Sequence, residues 1–200
     1  MKVVFASNNA GKIQELESLL NDFELDIIPQ QELNVTEIPE TATTFVENAL
    51  LKARHAAKIT NMPAIADDSG LCVAVLHGAP GVYSARYAGE KATSAANIQK
   101  LLHELDNVDD ENRDAFFYCA LVFVKNAEDP TPLICDARWH GKILTHARGE
   151  KGFGYDPIFY DEHEKATAAE LPLAIKNKIS HRGQALRLLV EKLSHVRTFS

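Results

Sequence analysis

The sequence predicts a mixed α/β fold, a sheet with a parallel and an antiparallel section, helices on both faces and a cleft between its halves. Three observations carry this. An apolar run, Val3-Val4-Phe5-Ala6, passes through a polar turn into a helix-periodic segment and then into a second apolar run, a βαβ opening that implies parallel strands. The second half holds two β-rich runs, Phe116 to Val124 and Leu133 to Trp139, joined by Lys125 to Pro132 as a long-looped hairpin. Finally, 200 residues at 46% hydrophobic composition suffice for a real core, and the length favours a single domain over 1–200, with room for two lobes.

The elements follow in order. After the first strand, Ile13, Leu16, Leu19 and Leu20 recur at helical spacing, and Leu25 to Ile28 form a short strand stopped by Pro29. Residues 29 to 42 lack periodicity. Thr44-x-x-Glu47 is a capping box for a helix carrying Val46, Leu50, Ala53 and Ala57, which places Glu40 in the loop just before a helix start. Ala64-Ile65-Ala66 reads as a buried strand ending at Asp67-Asp68-Ser69-Gly70, with Leu71 to Leu76 as a further strand. Gly78, Pro80 and Gly81 force a loop, and a helix follows from about Ser94 to Leu105. The Gly-rich stretch 149–157 leads to Ile158-Phe159-Tyr160, and the last helix opens at Ser180 with Leu186, Leu189, Val190 and Leu193 on one face.

Composition narrows the function. A formal charge of -7 argues against a nucleic-acid polymer as the main partner, because such binding is driven by dense Lys and Arg and by counterion release. Cys72, Cys119 and Cys135 are odd in number, sit among apolar residues and lack zinc-like spacing, so they read as buried thiols in a reducing compartment. Apart from the histidine that opens the last helix, His55, His77, His103, His140, His146, His163 and His195 show no metal-ligand spacing and read mostly as surface residues. The start turns polar at Ser7, too early for a secretory signal, and the run from Ala115 to Val124 is far short of the roughly 18 residues of a membrane helix. A cytoplasmic protein is expected.

Four segments carry chemistry. Ser7-Asn8-Asn9-Ala10-Gly11-Lys12 joins a strand to a helix, where free backbone N–H groups, the positive end of the helix dipole and the Lys12 ammonium converge as a phosphate cradle. It is not a Walker A loop, since its first Gly is missing and Ile13 stands where a hydroxyl would hold magnesium. Ordinary strand-turn-helix architecture reads the same way. Asp67, Asp68 and Glu40 offer the oxygen ligands Mg²⁺ prefers when it also holds phosphates, although Asp-Asp-Ser-Gly is equally a type I turn. Neighbours on a strand face opposite ways, so one Asp binds metal or activates water and the other is structural.

Gly residues around Phe153 allow close backbone approach, so its ring suits base stacking and Asp156 suits a ring N–H; the alternative is a core anchor and a turn residue. Ser180-His181-Arg182 puts positive groups where the helix dipole opposes them, and with Lys176 four residues upstream it reads as a carbonyl reader or as a solvated basic helix start. Lys52 lies one turn past the capping box, pointing either at phosphate or at solvent.

Together the segments Ser7-x-Asn9-x-x-Lys12, Glu40 ahead of Thr44-Phe45-x-Glu47-Asn48-Ala49-x-x-Lys52-Ala53, Ala66-Asp67-Asp68-Ser69-Gly70-Leu71, Pro80 to Tyr87, Gly152 to Phe159, and Lys176 with Ser180-His181-Arg182-Gly183 resemble the inosine-triphosphate pyrophosphatase family. These are house-cleaning enzymes for noncanonical purine nucleoside triphosphates, here of the RdgB type, and the match runs in order along essentially the whole chain. The resemblance implies an elongated mixed sheet in two lobes around the site, and a homodimer. It implies that Ser7, Asn8, Asn9, Ala10, Gly11, Lys12 and Lys52 hold the triphosphate and that Glu40 and Asp68 bind Mg²⁺. Asp68 is then also the general base, and Ser69, Phe153, Gly154, Tyr155, Asp156, Lys176, His181 and Arg182 line the nucleoside site. Ala42, where the family often has Gly, and Leu173-Ala174-Ile175, in place of a more acidic stretch, depart from the pattern. The expected reaction is attack of water on the α-phosphorus, with Lys12 stabilising the departing pyrophosphate. The competing readings are a Maf-like pyrophosphatase of pyrimidine or modified nucleotides and a nucleotide sensor without turnover.

Overall fold

The computed structural model describes residues 1–20 and 25–197. The side chains of Leu19, Leu20 and His195 lie outside the described residues, and with them the expectations for those three positions. The elements, in order, are β1 (Lys2–Phe5), α1 (Ala10–Leu20), β2 (Asp26–Pro29), α2 (Phe45–Thr60), β3 (Ala64–Val73), α3 (Ser94–Glu104), β4 (Asp114–Val124), β5 (Leu133–Ile143), β6 (Phe159–Asp161), β7 (Ala166–Thr167), α4 (Leu173–Ile179) and α5 (His181–Arg197). The sheet has seven strands in the order β2-β1-β3-β4-β5-β6-β7. β1 pairs in parallel with β2, Val3 opposite Ile27, and with β3, Phe5 opposite Ile65. β5, β6 and β7 pair antiparallel, Ile143 opposite Phe159 and Tyr160 opposite Thr167. The mixed α/β fold expected from the βαβ opening and the β-rich second half is therefore the observed one.

The chain divides into two compact units, the first formed by 1–68, 119–137 and 181–200, the second by 69–118 and 138–180. In the first, Val3, Phe5, Ile65, Cys119, Leu121 and Phe123 alternate along their strands and meet Leu16 of α1 and Ala185, Leu186, Leu189 and Leu193 of α5. The face of α5 read from its spacing is the buried one. α2 packs against β1 and buries Ala49, Ala53, Ala56 and Ala57, whereas Val46 and Leu50 are only half-buried. Thr44 caps this helix, its Oγ1 accepting from the Glu47 N–H at 3.3 Å, and the Thr44 hydroxyl donates to Glu47 Oε2 at 2.6 Å. In the second unit, Phe117, Trp139 and Phe159 pack with ring centroids 4.6 to 6.1 Å apart, in one core with Leu101 of α3 and Leu105 just after it. Trp139 Nε1 donates to the buried Asp161 at 2.6 Å, which satisfies the indole inside that core.

Three expectations change. The quartet Asp67-Asp68-Ser69-Gly70 is not a turn, because β3 runs unbroken from Ala64 to Val73 and the chain turns only at a short 3₁₀ segment, Ala74–Leu76. The turn reading rested on Asp at the start and Gly at the end of the quartet; in the fold the two carboxylates stay within the strand and meet cationic side chains. A separate helix, α4, precedes Ser180, so the departure Leu173-Ala174-Ile175 opens a helix of its own after Pro172. The residues from Gln30 to Leu33, read as aperiodic, form a 3₁₀ turn closed by Asn34 at φ 54°.

Candidate active site

In the first unit the site residues assemble from three local causes. Asn9 caps α1: its Oδ1 accepts from the Lys12 N–H at 3.1 Å, while the Asn9 N–H donates to Ser7 Oγ at 3.2 Å. That fixes the turn 7–12 and sets Lys12 in the first helical turn. Lys12 Nζ reaches Asp67 Oδ2 at 2.9 Å. Gln30 donates to Asn8 Oδ1 at 2.8 Å, tying the same turn to the segment after β2.

Asp67 and Asp68 are consecutive in β3 and have different partners, as strand alternation requires. Asp67 is fully buried and meets Lys12 and, at 3.5 Å, the Arg182 guanidinium, which also pairs with the buried Glu15 of α1. Burial works against the Asp67 charge, yet Lys12, Arg182 and Lys52 outweigh it and hold the carboxyl well below the usual range. Asp68 accepts from Asn48 Nδ2 at 3.1 Å and lies 3.5 Å from Lys52 Nζ. Its carboxyl is pushed up to about 6 by burial, with Glu40 and Asp67 adding to the shift against Lys52 and Lys12. Asp67 is thus a fixed anion, and Asp68 a carboxylate able to take a proton near neutral pH.

Lys52 Nζ also binds Glu40 Oε1 at 2.6 Å, so one ammonium serves both carboxylates. Burial lowers its proton affinity, but Asp68, Asp67 and Glu40 raise it further, and Lys52 stays charged. Two carboxylates, Glu40 from a loop and Asp68 from a strand, share the Lys52 ammonium, and their hard oxygens are of the kind Mg²⁺ takes, although among the described residues no group of three or more His, Cys, Asp and Glu side chains gathers to hold a metal. Asn48 completes the frame by accepting from the Ala42 N–H at 3.0 Å, which ties the loop carrying Glu40 to the strand carrying Asp68. Ala42 fills the family's glycine position without disturbing that bond.

In the second unit, Lys176 Nζ binds Asp156 Oδ2 at 2.6 Å and lies 5.1 Å from the Phe153 ring centroid. The Phe153 N–H donates to the same oxygen at 2.8 Å. Both partners of this ion pair are almost fully buried. Tyr155 packs in the core of this unit and its hydroxyl donates to the Ser84 carbonyl at 2.9 Å. Ser84 Oγ in turn accepts from the Leu71 N–H at 2.9 Å. Gly154 holds φ 61°, with open space on the side where a Cβ would project. Ser69 is half-buried at the start of this unit, while His181 and Arg182, both buried, belong to the first turn of α5 in the other.

Two residues escaped the sequence reading. Glu15 was hidden in the polar positions of α1, and nothing in its spacing marks it as buried. Asn48 had a usable signal, a polar residue next to the buried alanine stripe of α2.

A family model described as the Ham1 family matches residues 3–192. The chain belongs to the Ham1 family. Both side-chain clusters fall inside the matched range. Curated relatives include a dITP/XTP pyrophosphatase of Salmonella paratyphi A, 59% identical over 96% of this chain and 98% of the relative, and one of Escherichia coli O157:H7, 60% identical over the same shares. Among solved structures, a HAM1 protein from Coxiella burnetii superposes with a TM-score of 0.89 at 53% identity, covering 100% of both chains. The Staphylococcus aureus Ham1 protein follows the same Ham1 fold with a TM-score of 0.86 at 41% identity, covering 98% of this chain and 99% of that one.

Proposed function

We propose that this Ham1 protein is a nucleoside-triphosphate pyrophosphatase that hydrolyses dITP, XTP and ITP to the monophosphate and pyrophosphate, cleansing the nucleotide pool. The observation that carries the reading is the pairing of two carboxylates around one ammonium, Lys52 Nζ lying 2.6 Å from Glu40 and 3.5 Å from Asp68. Curated relatives at about 59% identity over nearly the full length bear the name of that activity.

In this reading the turn 7–12 and Lys52 hold the triphosphate, with backbone N–H groups at the α1 N-terminus facing phosphate oxygens. Glu40 and Asp68 would hold Mg²⁺, which when bound would neutralise charge on those oxygens. Asp68 takes the proton of the attacking water. Asp67, 2.9 Å from Lys12 Nζ, holds that ammonium in place for the leaving pyrophosphate, so that most of the acceleration comes from charge and positioning. In the second unit Ser69, Gly154 and Tyr155 line the nucleoside, Phe153 stacks on the base, Lys176 donates to its 6-carbonyl, and Asp156 accepts from the neighbouring ring N–H; in the first unit Arg182, enclosed with Glu15 and Asp67, holds those two carboxylates. Adenine presents the opposite pattern, which leaves buried groups unpaired at about 1 to 3 kcal/mol each. The protein works as a cytoplasmic homodimer; among the described residues no helix is long and apolar enough to cross a membrane.

The test is product analysis with magnesium on inosine, xanthosine, deoxyinosine, adenosine, guanosine and thymidine triphosphates. Pyrophosphate released mainly from the first three bears the reading out. Orthophosphate, a preference for thymidine triphosphate, or tight binding without turnover refutes it.

A further inference from the structure

The strap ahead of β6 contains a glycine whose missing side chain is needed by one atom. Gly152 has φ 76°, in the left-handed region, and a Cβ built on it would overlap Asp156 Oδ2 and stand 2.9 Å from Asp156 Cγ. That oxygen is the one that accepts from the Phe153 N–H at 2.8 Å and from Lys176 Nζ at 2.6 Å. Phe153 O accepts from the Asp156 N–H at 3.3 Å, closing the turn. Gly149 nearby, at φ 83°, is crowded instead by the backbone of Ala169 and Glu170, so of these two glycines only Gly152 would clash with a side chain.

We propose that Gly152 is a positioning residue for nucleobase recognition: by leaving space for the Asp156 carboxylate, it lets one oxygen fix the Phe153 backbone and the Lys176 ammonium together. Any side chain there drives Asp156 off that position and releases both groups. This rests on the reading of Phe153, Asp156 and Lys176 as the base-binding group.

The experiment is a double-mutant cycle on the full chain, Gly152→Ala, Asp156→Ala and the pair, with kinetics on inosine and adenosine triphosphates and a thermal melt of each protein. Gly152→Ala is expected to raise KM for inosine triphosphate by about tenfold or more, to leave kcat within about threefold, and to reduce the preference for inosine over adenosine by about tenfold. In the Asp156→Ala background the same change costs no more than about twofold, because the clash has gone. Gly152→Asn separates crowding from backbone strain, since Asn tolerates positive φ. A loss as large as that of Ala supports the clash.

Full additivity in the cycle, a mild Asn variant, or a fall in kcat at unchanged KM overturns the inference. A Gly152→Ala protein that folds only in the Asp156→Ala background supports it, and one that folds in neither overturns it. If the unaltered protein does not turn over inosine, deoxyinosine or xanthosine triphosphate, the functional reading fails and takes this inference with it; turnover with an additive cycle sinks the inference alone.

Discussion

Asp67 and Asp68 sit side by side in β3 and are shifted in opposite directions because their neighbours differ: two cations dominate around Asp67, while Asp68 shares its one close cation, Lys52, with Glu40. Asp68→Asn is expected to lower turnover of inosine triphosphate by about 100- to 10,000-fold, the range of a lost general base. The same change should stabilise the metal-free protein at pH 8 by roughly 1 to 2 kcal/mol, read as a higher Tm, because it removes a charge that burial disfavours. The sign follows from proton binding. Folded Asp68 holds its proton up to about pH 6, whereas in the unfolded chain it loses it near 3.9. This group's contribution therefore improves as pH falls from 7 towards 4, and the advantage of Asn over Asp should shrink in parallel. Asp67 behaves oppositely, stabilising the fold above the normal carboxylate range and losing that contribution only in acid. Arg182→Ala leaves Glu15 and Asp67 buried without their shared cation, and should cost about 3 to 5 kcal/mol at neutral pH in a denaturant titration.

At the scale of elements, α2 is the organiser: Thr44 caps it, Asn48 and Lys52 lie one turn apart along it, and its alanines allow close packing. Thr44→Ala should cost about 1 kcal/mol of stability with little change in chemistry, whereas Asn48→Ala should cost about 1 to 3 kcal/mol and weaken magnesium binding, measured by calorimetry. Equal magnesium affinity in the Asn48 variant would show that the loop holds Glu40 in place unaided. Thr44 and the periodic face of α5 were legible because capping chemistry and helical period are local. The run through Asp67 and Asp68 was equally readable as a turn because local rules see only Asp at its start and Gly at its end. Lys12 and Lys52, which meet those carboxylates in the fold, are 55 and 16 residues away in the chain.

For the whole molecule, the paired carboxylates predict a linkage to metal. Millimolar magnesium should raise the Tm of the unaltered protein and leave that of Glu40→Gln unchanged, since only the folded state assembles both ligands. The three cysteines are free and buried, and burial pushes the Cys119 thiol up to about 12. None should react with an aromatic disulfide reagent in the native protein, and all three should react in denaturant. The sequence by itself determined the mixed α/β class, the strand-turn-helix start of the chain, the cap of the helix that carries Lys52 and the family, because period, turn chemistry and motif order are written in neighbouring residues. Only the tertiary structure decided which aspartate keeps a permanent charge, that Glu15 and Asn48 serve the site, and that Gly152 makes room for Asp156. Each of those depends on burial and on partners brought together across the chain, and the free energy of a charge is set by its surroundings in space.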